Sequence, residues 1–422
     1  MDTIFALSSG APPAGIGVVR ISGPAAGVAL QALAGGLPAP RRASFRTLRD
    51  KAGEPLDQAL VLWMPGPRTV TGEDLAELHL HGGRAIIAAV EGELATLPAL
   101  RRAAAGEFTR RAFANGRIDL AEAEGLADLL TAETEMQRRA AMVMAGGILS
   151  AQVEGWARRV LHLAAMLEAV LDFADEDDVA LPPSFASDLD RLGDDIEAAM
   201  AVPSAEMLRE GFRVALAGPP NAGKSTLFNA LVEQEAAITA PIPGTTRDVL
   251  TRPVAIAGVP FLLIDMAGLR SDAVDPVEAI GIARAEGEIA GADLVLWLGP
   301  HGQGPDGAWE IDAQCDRALS GKPAPALRLS AITGEGMNDL RQRLVAHATG
   351  RLPKPGQAAL NARQRELLQS AARALSEARH SADPLIQAEL LRTVRRSFDH
   401  LVGRSGTEDL LDALFGRFCI GK

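Results

Sequence analysis

The chain has 422 residues, 47% hydrophobic and 23% charged, a composition that excludes disordered and fibrous classes and points to several globular domains. Its formal net charge of −12 excludes a protein whose main business is coating nucleic acid, so any RNA contact needs a local basic patch or a partner. Two cysteines, Cys315 and Cys419, cannot form a disulfide framework and fit a reducing compartment.

Taken in order, Met1-Asp-Thr-Ile-Phe5 has no basic n-region and so does not read as a signal peptide. Residues 1–118 read as a compact α/β domain. Strands are expected at Asp2–Ser9, Gly17–Ser22, Leu56–Met64 and Leu75–His81, with helices near Ala25–Leu33 and Arg84–Leu97. Arg20 is a lone charge in the apolar run Val18–Ser22, which places it at an edge or facing a ligand pocket. In Ala76–His81 the period of two puts Glu77, His79 and His81 on one face. That face reads as solvated or ligand-facing rather than as a metal site, because no acid or cysteine cluster completes a ligand set.

From Ile118 to about Glu210 the pattern turns helical. Leu120, Ala123, Leu126, Leu129 and Leu130 recur at helical spacing, as do apolar residues from Val160 to Phe173, and Pro182-Pro183 marks a break. The longest apolar stretch, around Leu161–Leu171, is interrupted by Glu168 and too short to span a bilayer, so a soluble cytoplasmic protein is expected. After Pro353–Pro355, Asn361–Phe418 is helical again. Two helical blocks, 119–210 and 353–422, flanking residues 211–352 suggest one bundle interrupted by an insertion, or else two independent bundles.

The insertion carries the chemistry. Phe212–Ala217 reads as a short buried strand, followed by Gly218–Thr226 (GPPNAGKST) and a helix through Leu227–Val232. Strand, G-x-x-x-x-G-K-[ST] and helix together make a phosphate-binding P-loop. The backbone of Asn221, Ala222, Gly223, Lys224, Ser225 and Thr226 would cradle phosphates at the positive end of the helix. Lys224 would reach the β/γ-phosphates, and Ser225 would hold Mg²⁺. Gly244–Asp248 (GTTRD) offers Thr246 as the residue closing over the γ-phosphate and Mg²⁺. Asp265-Met-Ala-Gly268 ends a hydrophobic strand, so Asp265 suits the metal's outer shell and the Gly268 N–H suits the γ-phosphate. Ser330 and Ala331 could set backbone groups beside a base. These features in this order describe a GTP switch domain.

The base-reading string N-K-x-D is missing. Its nearest equivalent is Ala313-Gln-Cys-Asp316 after a strand at Trp309–Asp312, which leaves Asp316 as the base acceptor. Only the Gly- and Pro-rich stretch GPHGQGPDGA separates that strand from Asp293–Leu298. A parallel crossover commonly contains a helix, so this helix is expected to be short or absent.

Over its full length the chain resembles the MnmE (TrmE) family of tRNA-modification GTPases. The resemblance rests on Gly17–Gly23 (GVVRISG), Thr71–Gly83 (TGEDLAELHLHGG), Gly106–Glu124 (GEFTRRAFANGRIDLAEAE), the GPPNAGKS and GTTRD pair, and Cys419-Ile-Gly-Lys422. It implies an N-terminal folate-binding α/β domain, a helical domain and an inserted Ras-like P-loop GTPase domain with a parallel sheet. It also implies a homodimer formed through the N-terminal domains. A flavin-dependent MnmG-type partner would complete a heterotetramer that puts an aminomethyl or carboxymethylaminomethyl group on C5 of the wobble uridine of tRNA.

Position by position, the resemblance implies that Arg20, Glu77, Arg117 and Lys422 contact 5-formyl- or 5,10-methylene-tetrahydrofolate. Arg117 stands where members often have lysine, which keeps the charge and changes the head group. A potassium ion would replace an arginine finger, with Asn221, Thr245 and the carbonyls of Ala240 and Ile242 as its ligands, Thr245 also lying at the nucleotide. Glu278 matches a water-orienting glutamate and, with Lys224, would be catalytic; the rival reading of Glu278 is a helix N-terminal acid beside Pro276. Cys419 is either a reactive thiol or a small apolar residue. Charged faces such as Arg392, Arg395 and Arg396 read as solvated surface or tRNA contacts. The alternative function is a regulatory or ribosome-assembly GTPase that modifies nothing, against which the folate-like domain and the CIGK tail argue.

Overall fold

The protein is described by a computed structural model covering residues 2–172, 181–233, 236–237, 250–266, 287–317, 322–354, 356–405 and 408–422. It divides into two compact units, Met1–Ala127 with Asp399–Lys422, and Asp128–Phe398.

In the first unit, apolar and polar residues alternate along the strands and so fix which face each one lines. Strands β1 (Thr3–Leu7), β2 (Ile16–Ser22), β3 (Ser44–Arg49), β4 (Pro55–Met64), β5 (Leu75–His81) and β6 (Leu100–Arg102) form one sheet in the order β3-β4-β5-β2-β1-β6. Helices α1 (Ala26–Ala34) and α2 (Arg84–Thr96) cover one face. The α1 helix buries Ala26, Ala29, Leu30 and Leu33, the i, i+3, i+4, i+7 stripe of an amphipathic helix, against Val19, Ile21, Val61 and Leu78. On the opposite face the register aligns Ala6, Arg20, Glu77 and Leu62 in one cross-strand row, and Val18, His79, Leu60 and Phe45 in the next. Helix α3 (Glu107–Ala114) sets Phe108 against Ile4 and Ala6 on that face.

The sequence expectations missed β3 and β6. Both lie at sheet edges, and their sequences SFRTLR and LRR carry too few apolar residues to announce a strand.

The second unit holds a seven-stranded sheet in the order β13-β12-β11-β7-β10-β9-β8. Helix α4 (Leu120–Thr131) leads from the first unit into it. Helices α5 (Glu135–Ala145), α6 (Ile148–Asp172), α7 (Ser184–Met200) and α8 (Ala205–Glu210) precede the sheet. The sheet comprises β7 (Phe212–Ala217), β8 (Ala236–Ala237), β9 (Leu250–Ile256), β10 (Val259–Asp265), β11 (Leu294–Trp297), β12 (Trp309–Asp312) and β13 (Leu327–Arg328). Strands β10, β7, β11, β12 and β13 run parallel, while β9 and β10 form a hairpin whose turn residues Ala257 and Gly258 both have positive φ, 48° and 78°. Two positive φ values mark the tight turn whose twist matches the strands. Helices α9 (Lys224–Glu233) and α10 (Met337–Thr349) bury Leu227, Phe228, Leu231, Leu340 and Leu344 against the sheet.

No helix joins β11 to β12. The chain turns through residues 298–308 around Trp297, whose Nε1 donates to the Pro300 carbonyl at 2.9 Å. A Cβ on Gly299 or Gly304 would stand 2.4 or 2.7 Å from the Trp297 ring, so the glycines let the backbone wrap the indole.

Helices α11 (Ala362–His380) and α12 (Pro384–Val402) follow the sheet and pack on those before it. The Arg379 Nε donates to Asp190 at 3.1 Å, the Arg365 Nη2 donates to the Val202 carbonyl at 2.9 Å, and the Trp156 and Phe398 rings lie 5.9 Å apart. Helix α13 (Glu408–Phe415) belongs to the first unit, where Leu414, Phe415 and Phe418 pack on Leu120 and Ala123. Among the described residues no helix is long and apolar enough to cross a membrane.

Candidate functional site

Strand β7 sits at the centre of the nucleotide sheet, with β10 on one side and β11 on the other. That reversal of strand order opens a crevice at the carboxyl ends, where α/β sheets bind ligands. The loop leaving β7 there is Gly218–Gly223. Gly218 has φ 149°, Asn221 62° and Gly223 95°, so the turn needs left-handed backbone at three places. A Cβ on Gly218 would lie 2.9 Å from the Gly299 nitrogen, so glycine also permits a close approach.

Lys224 begins α9 and is only 7% exposed. Its ammonium donates to the carbonyls of Gly218 (2.7 Å) and Pro219 (2.8 Å). Burial pulls its pKa below the ordinary lysine value, and attraction to Asp265 opposes that shift. Asp265 is 1% exposed at the end of β10, paired in register with Leu216 of β7. Ser225 and Thr226 are exposed in the first turn of α9. A buried ammonium, left-handed loop backbone and the N-terminus of α9 together suit an anion of several charges.

The loops that follow β12 and β13 converge on this one. The strand expected at Trp309–Asp312 is β12, and the segment after it meets the phosphate loop directly: the Gln314 Nε2 donates to the Asn221 carbonyl at 3.0 Å. Gln314 also bridges Ser330, which is fully buried, and the Cys315 N–H donates to the Leu329 carbonyl at 3.2 Å. Asp316 is exposed beside this junction, and Ala331 is half-buried. The sequence expectation named Asp316 and passed over Gln314; its place in the lysine position of the degenerate string was the available signal. Ala240, Ile242, Thr245, Thr246, Gly268 and Glu278 lie outside the described residues.

A second polar site occupies the open face of the first unit's sheet. Glu77 Oε1 accepts from Arg20 Nε (3.0 Å) and Nη2 (2.9 Å), and its Oε2 lies 3.3 Å from His79 Nε2. Both members of the Arg20–Glu77 pair keep some solvent access, 21% and 16% of their side chains. The Arg20 guanidinium stands 5.9 Å above the Phe108 ring. His81, on the same strand face, is bound to Asp57 instead (Nδ1 to Oδ1, 2.7 Å). Arg117 is exposed, its methylenes passing over Gly72, where a Cβ would lie 3.3 Å from Cγ.

The C-terminal tail is tied to this unit. Ile420 bridges Ala105, and Gly421 (φ 97°) lies so close to β1 that a Cβ would sit 2.1 Å from the Leu7 carbonyl oxygen. Lys422 is half-buried and Cys419 exposed.

Residues 3–117 match the model of the GTP-binding protein TrmE N-terminus, and residues 120–419 match that of the MnmE helical domain. The tRNA modification GTPase MnmE of Novosphingobium aromaticivorans is 62% identical, the alignment covering 100% of both chains. That of Erythrobacter litoralis is 61% identical over 100% of both, and that of Zymomonas mobilis 50% over 100% of both. The chain belongs to the MnmE family of tRNA modification GTPases. Solved structures that it resembles include the G domain of the T. maritima FeoB iron transporter (27% identity, TM-score 0.23, 32% of this chain and 98% of that one). Another is Aquifex aeolicus Era (19%, TM-score 0.25, 41% and 69%).

The expectation that Asp316 reads guanine at this junction is open to test. A carboxylate accepting from a base contributes roughly 1.5–3 kcal/mol. Asp316→Asn is therefore expected to weaken GTP binding about 10- to 100-fold and to shift preference toward xanthine nucleotides. Competition assays with the three nucleotides check it; an unchanged base preference would remove Asp316 from that role.

Proposed function

We propose that this protein hydrolyses GTP in a potassium-dependent cycle. With a flavin-dependent partner of the MnmG type, it adds an aminomethyl or carboxymethylaminomethyl group to C5 of the wobble uridine of tRNA, drawing one carbon from a tetrahydrofolate. Residues 1–118 hold the folate and form the dimer, 119–210 and 353–422 form the helical domain, and 211–352 hydrolyse GTP. The work takes place in the cytoplasm, where tRNA is modified.

The observation that carries this reading is the Arg20–Glu77 pair, half-open on a sheet face in the unit that also holds the tail. A GTPase acting only as a switch has no use for such a site. Arg20 and Glu77 present a fixed donor and a fixed acceptor, which suits the paired amide and amine edge of a pterin ring. Arg117 and Lys422 bring positive charge suited to the glutamate carboxylates of a folate. Cys419 stays outside this assignment; its exposure permits either a reactive thiol or an inert surface residue.

On the nucleotide side, Ser225 in the first turn of α9 and Asp265 at the end of the adjacent strand fit a Mg²⁺ ion, which would neutralise phosphate charge. Thr246 completes that set in this proposal. Asn221, Thr245 and the carbonyls of Ala240 and Ile242 hold potassium, Gly268 meets the γ-phosphate, and Glu278 orients water. Hydrolysis is expected to run faster in potassium than in sodium, with Asn221→Ala abolishing the difference. Equal rates for the unaltered protein in the two salts would sink the potassium assignment.

Mass spectrometry of wobble uridines from cells lacking this protein tests the whole reading. Loss of the aminomethyl-type nucleosides supports it. Unchanged nucleosides would favour a regulatory or ribosome-assembly GTPase.

A further inference from the structure

We propose that Gln314 is a positioning residue that locks the base-reading loop onto the phosphate loop, its neutral amide standing where the N-K-x-D string would have lysine. The proposal rests on the reading of Asp316 as the base acceptor and of Gly218–Thr226 as the phosphate loop.

Both ends of the amide are committed. Its Nε2 donates to the Asn221 carbonyl at 3.0 Å, and its Oε1 accepts from Arg317 Nη1 at 3.2 Å. A flipped amide would set oxygen against carbonyl oxygen and NH₂ against guanidinium, so the orientation is fixed by its two neighbours. The backbone is committed too. The Arg317 N–H donates to the Gln314 carbonyl at 2.9 Å, closing a four-residue turn in which Asp316 is third. Gln314 also bridges Ser330 of the neighbouring loop. Asp316 therefore sits in a turn closed twice by Gln314, through main chain and side chain, and the same side chain is anchored on the P-loop.

The anchor point matters because Asn221 holds a left-handed φ of 62°, uncommon for a residue with a Cβ. Its carbonyl accepts the Gln314 amide from that position. Movement of the base loop would pull on the P-loop at one of its left-handed residues, so the clamp couples the spacing between base and phosphates to the shape of the P-loop. Arg317, held through the amide oxygen, keeps a positive charge beside a turn that has no lysine. This departs from the weak, loosely held base that the missing lysine alone would imply.

Purified full-length protein carrying Gln314→Leu, Gln314→Lys or Asp316→Asn tests the inference through steady-state hydrolysis of GTP and ATP and through thermal melts. Gln314→Leu is expected to raise KM for GTP about tenfold (about 1.4 kcal/mol), to leave kcat within about twofold, and to reduce the preference for GTP over ATP. A residue that aligns ground and transition states equally acts on KM. Gln314→Lys retains a donor to the Asn221 carbonyl and is expected to return KM to within about threefold of the parent. An unchanged KM in Gln314→Leu, or a rise accompanied by an early melt that Gln314→Lys does not rescue, overturns the proposal. If Asp316→Asn shifts base preference while Gln314→Leu does nothing, the base-reading assignment stands and the clamp falls. If Asp316→Asn is silent, the assignment on which the clamp rests falls with it.

Discussion

Lys224→Ala is expected to lower kcat/KM for GTP hydrolysis by a thousandfold or more, on the order of 4 kcal/mol of transition-state stabilisation. The side chain is 7% exposed, and its two hydrogen bonds go to carbonyls of its own loop, Gly218 and Pro219. Incoming phosphate oxygens carry far more negative charge than those carbonyls. The ammonium trades neutral acceptors for charged ones, and the gain grows as charge builds on the transferring group. Alanine leaves nothing in its place, and a guanidinium is too broad to take up the position of a compact ammonium. Stability carries a pH dependence of its own. Burial lowers the folded-state pKa of Lys224 below the ordinary 10.5. The folded state thus disfavours the charged form. That penalty is complete below the folded pKa and fades as pH rises toward 10.5. Lys224→Ala removes it, so the variant's stability relative to the parent should fall as pH rises toward 10.5. An early melt together with lost turnover would make the lysine structural, and near-normal turnover would overturn the phosphate site.

Why some of this was legible and some was not follows from what each residue is up against. The β5 strand was readable to the residue, because Leu75–His81 alternates and one face is buried. The β7 strand was readable as a short apolar run broken only by Arg213 near its start, since a central parallel strand is buried on both faces. Edge strands β3 and β6 have a partner on one side only and need little hydrophobicity, so their sequences say little. The absent crossover helix was foreseeable from its glycines and prolines, but the reason for the glycines was not. They make room for Trp297, a contact that exists only after folding. Gln314 was hidden for a related cause. Its partner Asn221 is 93 residues away, and a motif scan scores Gln314 only as a missing lysine. The pairing of Arg20 with Glu77 was half visible: Arg20 stood out as a lone charge in an apolar strand and Glu77 as part of a polar strand face, but only the register of β2 with β5 makes them opposite neighbours.

Deletion of Cys419–Lys422 is expected to eliminate folate binding and tRNA modification while leaving basal GTP hydrolysis nearly intact. A chain end is normally frayed, and this one is held at several points. Ile420 bridges Ala105, the Gly106 N–H reaches the Cys419 carbonyl at 3.5 Å, and the Lys422 N–H closes onto the Cys419 carbonyl at 3.2 Å. Gly421 is the tightest point, with φ 97° and room for no side chain: a Cβ would stand 2.1 Å from the Leu7 oxygen and 2.9 Å from the Ser8 Cα. Those are backbone atoms at the end of β1, which cannot swing aside as a flexible side chain could. Helix α3 supports the dock from below, with Arg110 donating to Asp412 of α13 at 2.8 Å. Two substitutions then separate placement from charge. Gly421→Val should dislodge the tail and match the deletion, although Lys422 is still present. Lys422→Ala should keep the dock and lose only the hydrogen bonds proposed between its ammonium and the folate, roughly 1.5–3 kcal/mol, or about 10- to 100-fold in affinity. Titration with 5-formyl-tetrahydrofolate, run beside a GTPase assay, reads all three proteins. Parental folate affinity in the truncated chain would dissociate the tail from the site, and a matching collapse of GTP hydrolysis would show that the tail supports the fold instead.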